Sequence, residues 1–134
     1  MAGTAADESY PEGLLYHAEH DWARVDGDEA TLGITWYAQD SLGELVHYEP
    51  PDVGATIGKD TPYGEVESVK AVSDLIAPLS GEVLEVNGQV VDAPETVNED
   101  PYGTGWLLRI RVAESGEVDA LLDAGAYREL LAQQ

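Results

Sequence analysis

Gly64-Glu65-Val66-Glu67-Ser68-Val69-Lys70-Ala71-Val72-Ser73-Asp74-Leu75 reads as two β-like runs that meet at a lysine. The first run is Gly64 to Val69 and the second Val72 to Ala77, with Lys70-Ala71 between them. Side chains at the tip of such a hairpin stand away from the body of the protein, where a modifying enzyme can reach an amine. The chain has only one other lysine, Lys59, which follows Gly58 in a loop and needs no special explanation. A surface pairing of Lys70 with Glu67 or Asp74 is the alternative use of the same residue, and it contributes little stability.

The segments around the hairpin have the same character. Leu15 to Val25 reads as one extended stretch that stops at the turn Asp26-Gly27-Asp28-Glu29, with Ala30 to Thr35 as the returning strand. Trp36 to Leu42 has helical spacing and ends at Gly43, a C-cap residue type. Glu44 to Glu49 is strand-like until Pro50-Pro51 breaks it. Gly81 to Val86 is a further strand, with Gly81 as a tight entry, and Asn87-Gly88 closes it. Val90 to Gly105 is loop-rich, with a helical turn at Pro94 to Asn98. Trp106 to Val112 alternates apolar with basic residues at its far end and predicts a strand. Glu117 to Leu122 and Ala126 to Leu131 are short amphipathic pieces separated by Gly125, which predicts a helical hairpin or cap. Many short strands and little helix place the fold among small sandwiches or barrels. Residues 1–12 read as a mobile tail, leaving one domain over residues 13–134.

Composition narrows the chemistry. With 134 residues, the chain has the length of one self-sufficient domain. The absence of cysteine excludes disulfides, thiolate metal sites and cysteine nucleophiles. Asp and Glu number 27 against 6 Lys and Arg, a formal charge of −21, so nucleic acid and anionic membrane are poor partners. No apolar run approaches the ~20 residues of a membrane span. The acidic start, with Asp7 and Glu8 and no Lys or Arg, fits neither a secretory signal nor a transit peptide, so a cytoplasmic location is expected.

Histidine would be the first sign of a catalyst. His17 and His20, three apart on a presumed strand, point to opposite faces and are not joint metal ligands. His47 reads as an ordinary sheet residue. No nucleophile elbow, phosphate loop or dinucleotide fingerprint occurs, so a chain with its own catalytic residues is not expected.

The wording around Lys70 is more specific than its spacing. Glu67-Ser68-Val69-Lys70-Ala71, Ser73-Asp74 and Ala77-Pro78-Leu79-Ser80-Gly81-Glu82-Val83 closely resemble the lipoyl-lysine region of the H protein family of the glycine cleavage system. Further landmarks occur in family order. They include Glu19-His20-Asp21-Trp22, Gly33-Ile34-Thr35, Leu42-Gly43-Glu44, Pro51-Asp52-Val53-Gly54, Pro94-Glu95 and Pro101-Tyr102 with Gly105-Trp106. The set spans roughly Leu15 to Leu131. Biotin carriers share the general fold, but their Met-Lys-Met signature is absent; a biotin carrier or a lipoate-relay protein is the alternative reading.

The resemblance implies a mainly β barrel-sandwich hybrid with short helices and a C-terminal helical region. It implies a monomeric, non-catalytic carrier with lipoate joined to Lys70. The arm would take an aminomethyl group at a pyridoxal-phosphate-dependent glycine decarboxylase and deliver it to a tetrahydrofolate-dependent aminomethyltransferase. Dihydrolipoamide dehydrogenase would reoxidise the arm, and lipoylating enzymes would install it. In the family the loaded arm folds into a surface cleft that protects it from breakdown to ammonia and formaldehyde, and the positions matching its acidic lining are Glu19, Asp21 and Asp74. The chain departs from the family pattern in four places. Asp21 stands where Glu is usual, Pro50 replaces Leu, Trp36 occupies a usually acidic position, and His47 a usually apolar or aromatic one. The acidity fits either docking to basic partner surfaces or a halophilic proteome.

Overall fold

The computed structural model describes residues 10–133 and consists of two antiparallel sheets with short helices at their margins. The larger sheet has the order β1-β2-β3-β9-β8-β5: β1 is Leu15–Tyr16, β2 Asp21–Asp26, β3 Glu29–Ile34, β5 Thr56–Ile57, β8 Gly81–Val86 and β9 Leu108–Val112. The smaller has the order β4-β6-β7, with β4 Leu45–Glu49, β6 Pro62–Ser68 and β7 Val72–Ile76. Helix α1 is Trp36–Leu42, α2 Gly88–Asp92, α3 Thr96–Glu99 and α4 Ala124–Ala132, with a 3-10 run at Ser115–Ala120. This mainly β, two-sheet arrangement is a sandwich.

Strand alternation builds the core. In β9, Leu108 and Ile110 are fully buried, while Arg109 points outward to Glu29 at 2.7 Å and Glu85 at 3.0 Å. The inner faces of both sheets close over Leu32, Tyr48, Val66, Leu79 and Val83, all buried. A second apolar cluster lies at one margin, where Tyr16, Trp22 and Tyr127 of α4 pack together. The Tyr16 and Tyr127 rings stack at 4.8 Å, which fixes the C-terminal helix against β1.

Several elements differ from the sequence reading. Leu15 to Val25 is two strands, interrupted by a turn at residues 17–20, because His20 adopts a positive φ of 77° and its amide bonds the His17 carbonyl. The loop-rich stretch contains α2, opened by the Asn87 side chain accepting from the Gln89 amide. Helix α4 runs through Gly125, because Asp123 caps it from two residues earlier by accepting from the Ala126 amide. Glu117 to Leu122 is largely the 3-10 run, so the chain ends in one α-helix and not in a helical hairpin. Of the expected mobile tail, residues 1–9 lie outside the described residues. Tyr10 to Glu12 are docked: the Tyr10 carbonyl accepts from Arg128, the Pro11 carbonyl from the Tyr16 hydroxyl, and Glu12 lies 3.5 Å from Arg128. Among the described residues, no helix is long and apolar enough to cross a membrane.

Candidate functional site

The β6–β7 hairpin ends in a turn held by one buried serine. Ser68 Oγ accepts from the amides of Lys70 at 3.2 Å and Ala71 at 3.1 Å, and the Ser68 amide donates to the Ala71 carbonyl at 2.7 Å. The Val69 amide donates to the Glu44 carbonyl at 3.1 Å, tying the tip to the start of β4. Lys70 is exposed on this fixed turn, flanked by Val69 and Val72, which are 68% and 61% exposed.

The lysine stem has a seat. Helix α1 begins at Thr35, whose Oγ1 accepts from the Ala38 amide, and ends at Gly43, whose amide donates to the Gln39 carbonyl. Gly43 has φ 83°, a conformation that favours glycine, and a Cβ built there would stand 3.6 Å from Lys70 Cε. The stem of Lys70 therefore runs beside the last turn of α1. Asn98 fixes that corner: its Nδ2 donates to the Gly43 carbonyl and to Gln39 Oε1, and its Oδ1 accepts from the Leu45 amide, each at 2.9 Å.

A cleft of about 230 Å³ opens against the same helix. One wall is α1, through Tyr37, Ala38, Ser41 and Leu42. The second is the edge strand β7, through Ser73, Asp74 and Ile76. The third is the residue 17–20 turn, through Glu19 and His20. Leu42, which lines the cleft, precedes Gly43, the residue beside which the Lys70 stem runs. The lining combines the apolar groups of Tyr37, Ala38, Leu42 and Ile76 with the exposed carboxylates of Glu19 on the turn and Asp74 on β7.

The two histidines of the turn have separate partners. His17 Nδ1 accepts from the Glu19 amide at 3.0 Å, so its Nε2–H donates to Asp60 Oδ1 at 2.6 Å. That hydrogen bond from His17 holds the Asp60 carboxyl below its ordinary range. His20 Nδ1 meets the Tyr127 hydroxyl at 2.7 Å, and that hydroxyl meets Thr35 Oγ1 at 2.8 Å. Burial, opposed by the nearby Glu19, lowers the His20 imidazole below its usual value.

Asp21 does not line the cleft, contrary to expectation. It opens β2, and side chains alternate along a strand. Trp22 turns to the marginal aromatic cluster, so Asp21 takes the interior face that it shares with Ala23 of the main core. It is 2% exposed, and burial pushes its carboxyl well above the usual carboxylate range. Asp21 Oδ2 and the Tyr63 hydroxyl are both buried without a hydrogen-bond partner among the described residues, and the two groups interact electrostatically. Of the expected site residues, Glu19 and Asp74 line one cleft, Lys70 stands on the hairpin turn with its stem beside Gly43, and Asp21 lies in the interior. Ser68, Gly43 and His20 stand in the family landmarks with no site role read from them; Tyr127 stands in none of these landmarks and reaches the cleft only through its hydrogen bond to His20.

Comparison with known proteins points to one family. The family model described as Glycine cleavage H-protein matches residues 14–134. A glycine cleavage system H protein of Halorhodospira halophila is 51% identical over 125 residues, covering 92% of this chain and 96% of that protein. One from Brevibacillus brevis is 48% identical over 122 residues, covering 91% and 97%. A crystal structure of a glycine cleavage system H protein from Mycobacterium marinum superposes with a TM-score of 0.85 at 41% identity, over 92% of this chain and 99% of that one. With a family model spanning nearly the whole chain and relatives near one-half identity, the chain belongs to the glycine cleavage system H protein family.

Proposed function

We propose that this chain is a lipoyl carrier of glycine cleavage, with lipoate attached through an amide to Lys70. The observation that carries the reading is the seat of Lys70. Its amine stands on a fixed, exposed hairpin turn, and its stem runs beside Gly43, the residue after Leu42, which lines a cleft with Glu19 and Asp74 on its walls. A long, largely apolar arm fits such a cleft, with Tyr37, Ala38, Leu42 and Ile76 to cover it. When bound, the lipoyl group supplies a dithiol/disulfide pair able to hold a one-carbon cargo.

The chain's own residues position, cover and present. Ser68 fixes the backbone that bears the arm. Glu19 and Asp74 attract the ammonium of an aminomethyl cargo, and a charge-assisted hydrogen bond to a carboxylate is the strong kind. The α1 and β7 walls limit the approach of water. The partners under this reading are the pyridoxal-phosphate-dependent glycine decarboxylase, the tetrahydrofolate-dependent aminomethyltransferase, dihydrolipoamide dehydrogenase and the lipoylating enzymes, all met in the cytoplasm. No residue of this chain acts as a catalyst in it.

Intact mass and peptide mapping of protein from its native host test the reading. Lipoylation is expected on Lys70 and not on Lys59, whose ammonium lies 3.5 Å from Asp60 and which sits in the crossover from β5 to β6 and not at a hairpin tip. Lys70→Arg should fold normally and carry nothing. Lipoylation at Lys59, or carrier activity in Lys70→Arg, would sink the assignment, and biotin on Lys70 would move it to the other carrier class.

A further inference from the structure

His20 lines the cleft from a position the rest of the site does not account for. Its backbone is held at φ 77°, its carbonyl accepts from the Thr35 amide at 3.0 Å, and its ring lies against Tyr37 at 4.6 Å. The ring orientation is set through two hydroxyls. Thr35 Oγ1 already accepts from the Ala38 amide, which leaves its proton for the Tyr127 oxygen. The Tyr127 proton is then directed to His20 Nδ1, which is the acceptor of a neutral imidazole. This chain of hydrogen bonds joins the cleft wall to α4, more than a hundred residues away in sequence.

We propose that His20, oriented by Tyr127 and Thr35, is a positioning residue of the cleft, admitting a cationic arm end when its ring is neutral and expelling it when protonated. The inference rests on the carrier reading above. The charged and titratable groups around the ring are few. Glu19 and His17 lie on its own turn, Tyr37 on α1 and Tyr127 on α4, and Asp74 stands on the β7 wall of the same cleft. His17 is committed to Asp60 and Tyr127 to the hydrogen-bond chain, leaving Glu19 and Asp74 as the cleft's two carboxylates. A neutral ring leaves them free to hold an ammonium. An imidazolium there competes for the same carboxylates and repels the cargo. Burial of the ring places this change on the acidic side of the ordinary histidine range.

The test uses lipoylated protein, empty and aminomethyl-loaded. Linkage is reciprocal, so a cargo that His20 protonation expels must itself resist that protonation. NMR titration of the His20 ring should show its midpoint lower in the loaded protein than in the empty one. As pH falls from about 8 through and below the ordinary histidine value of about 6.5, loss of cargo as formaldehyde, relative to the denatured protein at each pH, should accelerate ~tenfold, the effect of a single charge change at close range. His20→Asn, which tolerates the positive φ and keeps an acceptor toward Tyr127, should show a flat profile. His20→Lys should retain cargo poorly throughout. A lipoylated protein whose His20 midpoint ignores loading, or a His20→Asn protein with the wild-type slope, overturns this inference alone; a chain whose Lys70 takes no lipoyl group overturns the carrier reading with it.

Discussion

The Lys70 amide donates to the Ser68 hydroxyl at 3.2 Å, so the residue two before the lysine holds the backbone that presents it. The same oxygen accepts from Ala71, and Ser68 is only 5% exposed. Water therefore does not readily replace it. Ser68→Ala should cost about 1–3 kcal/mol, the range for leaving buried polar groups without partners. Hydrogen exchange at Lys70 and Ala71 should rise ahead of exchange in β8 and β9, and lipoylation should slow while the fold survives. Unchanged exchange at the two amides would show that the turn holds without the hydroxyl.

Asn98 acts one layer further back. Three 2.9 Å hydrogen bonds from one half-buried amide hold Gly43, Gln39 and Leu45 in place, and Gly43 is where the Lys70 stem rests. Asn98→Ala should lose about 1–3 kcal/mol, measured by chemical denaturation. Asn98→Asp should lose more, because its carboxylate faces the Gly43 carbonyl and Gln39 Oε1 with no proton to offer either. An Asp variant as stable as wild type would contradict this account of the corner.

What the sequence made legible, and what it hid, follows from how local each signal is. The β9 alternation is local: Leu108 and Ile110 face in, and Arg109 and Arg111 face out. The hairpin at Lys70 is equally local, since its turn is bounded by its own strands. Helix α2 is too short for periodicity, and only the Asn87 cap marked it. The turn at residues 17–20 was hidden because its left-handed residue is a histidine and not a glycine. The cleft draws on α1, β7 and that turn, which only the tertiary fold brings together. Asp21 shows the cost of this: its sequence neighbours Glu19 and His20 line the cleft, yet strand alternation turns Asp21 the other way.

That burial of Asp21 gives a pH dependence with a definite sign. Its folded-state carboxyl titrates well above an ordinary Asp, chiefly through burial. Below the unfolded value, about 3.9, both states are protonated and the residue carries no penalty. As pH rises above it, the unfolded chain ionises first, so this residue's contribution to stability falls until the folded pKa is passed. Asp21→Asn removes the titration and nearly keeps the shape. Its melting temperature should exceed wild type at neutral pH, with the difference shrinking toward about pH 3. An Asn variant less stable than wild type at neutral pH would mean that the ionised carboxylate is held by a favourable contact.

Asp74 separates the needs of the fold from those of the cleft. It pairs across the sheet with Glu65, and Glu65 pairs with Glu49, so three carboxylates lie in one cross-strand row. Like charges directly opposite one another destabilise a sheet. Asp74→Asn relieves that repulsion, so its melting temperature should equal or exceed that of wild type, most clearly at low salt, where screening is weakest. The same change removes one of the two cleft carboxylates available to a cationic cargo. Loaded protein should then lose formaldehyde faster, by roughly tenfold for a charge-assisted hydrogen bond worth ~1.4 kcal/mol or more. Glu19→Gln should act in the same direction from the residue 17–20 turn, and lipoylation of Lys70 should be normal in both. Asp21→Asn should leave the cleft's carboxylates in place and accelerate the loss far less than either. Equal loss rates in wild type, Asp74→Asn and Glu19→Gln would reduce both acids to surface charge.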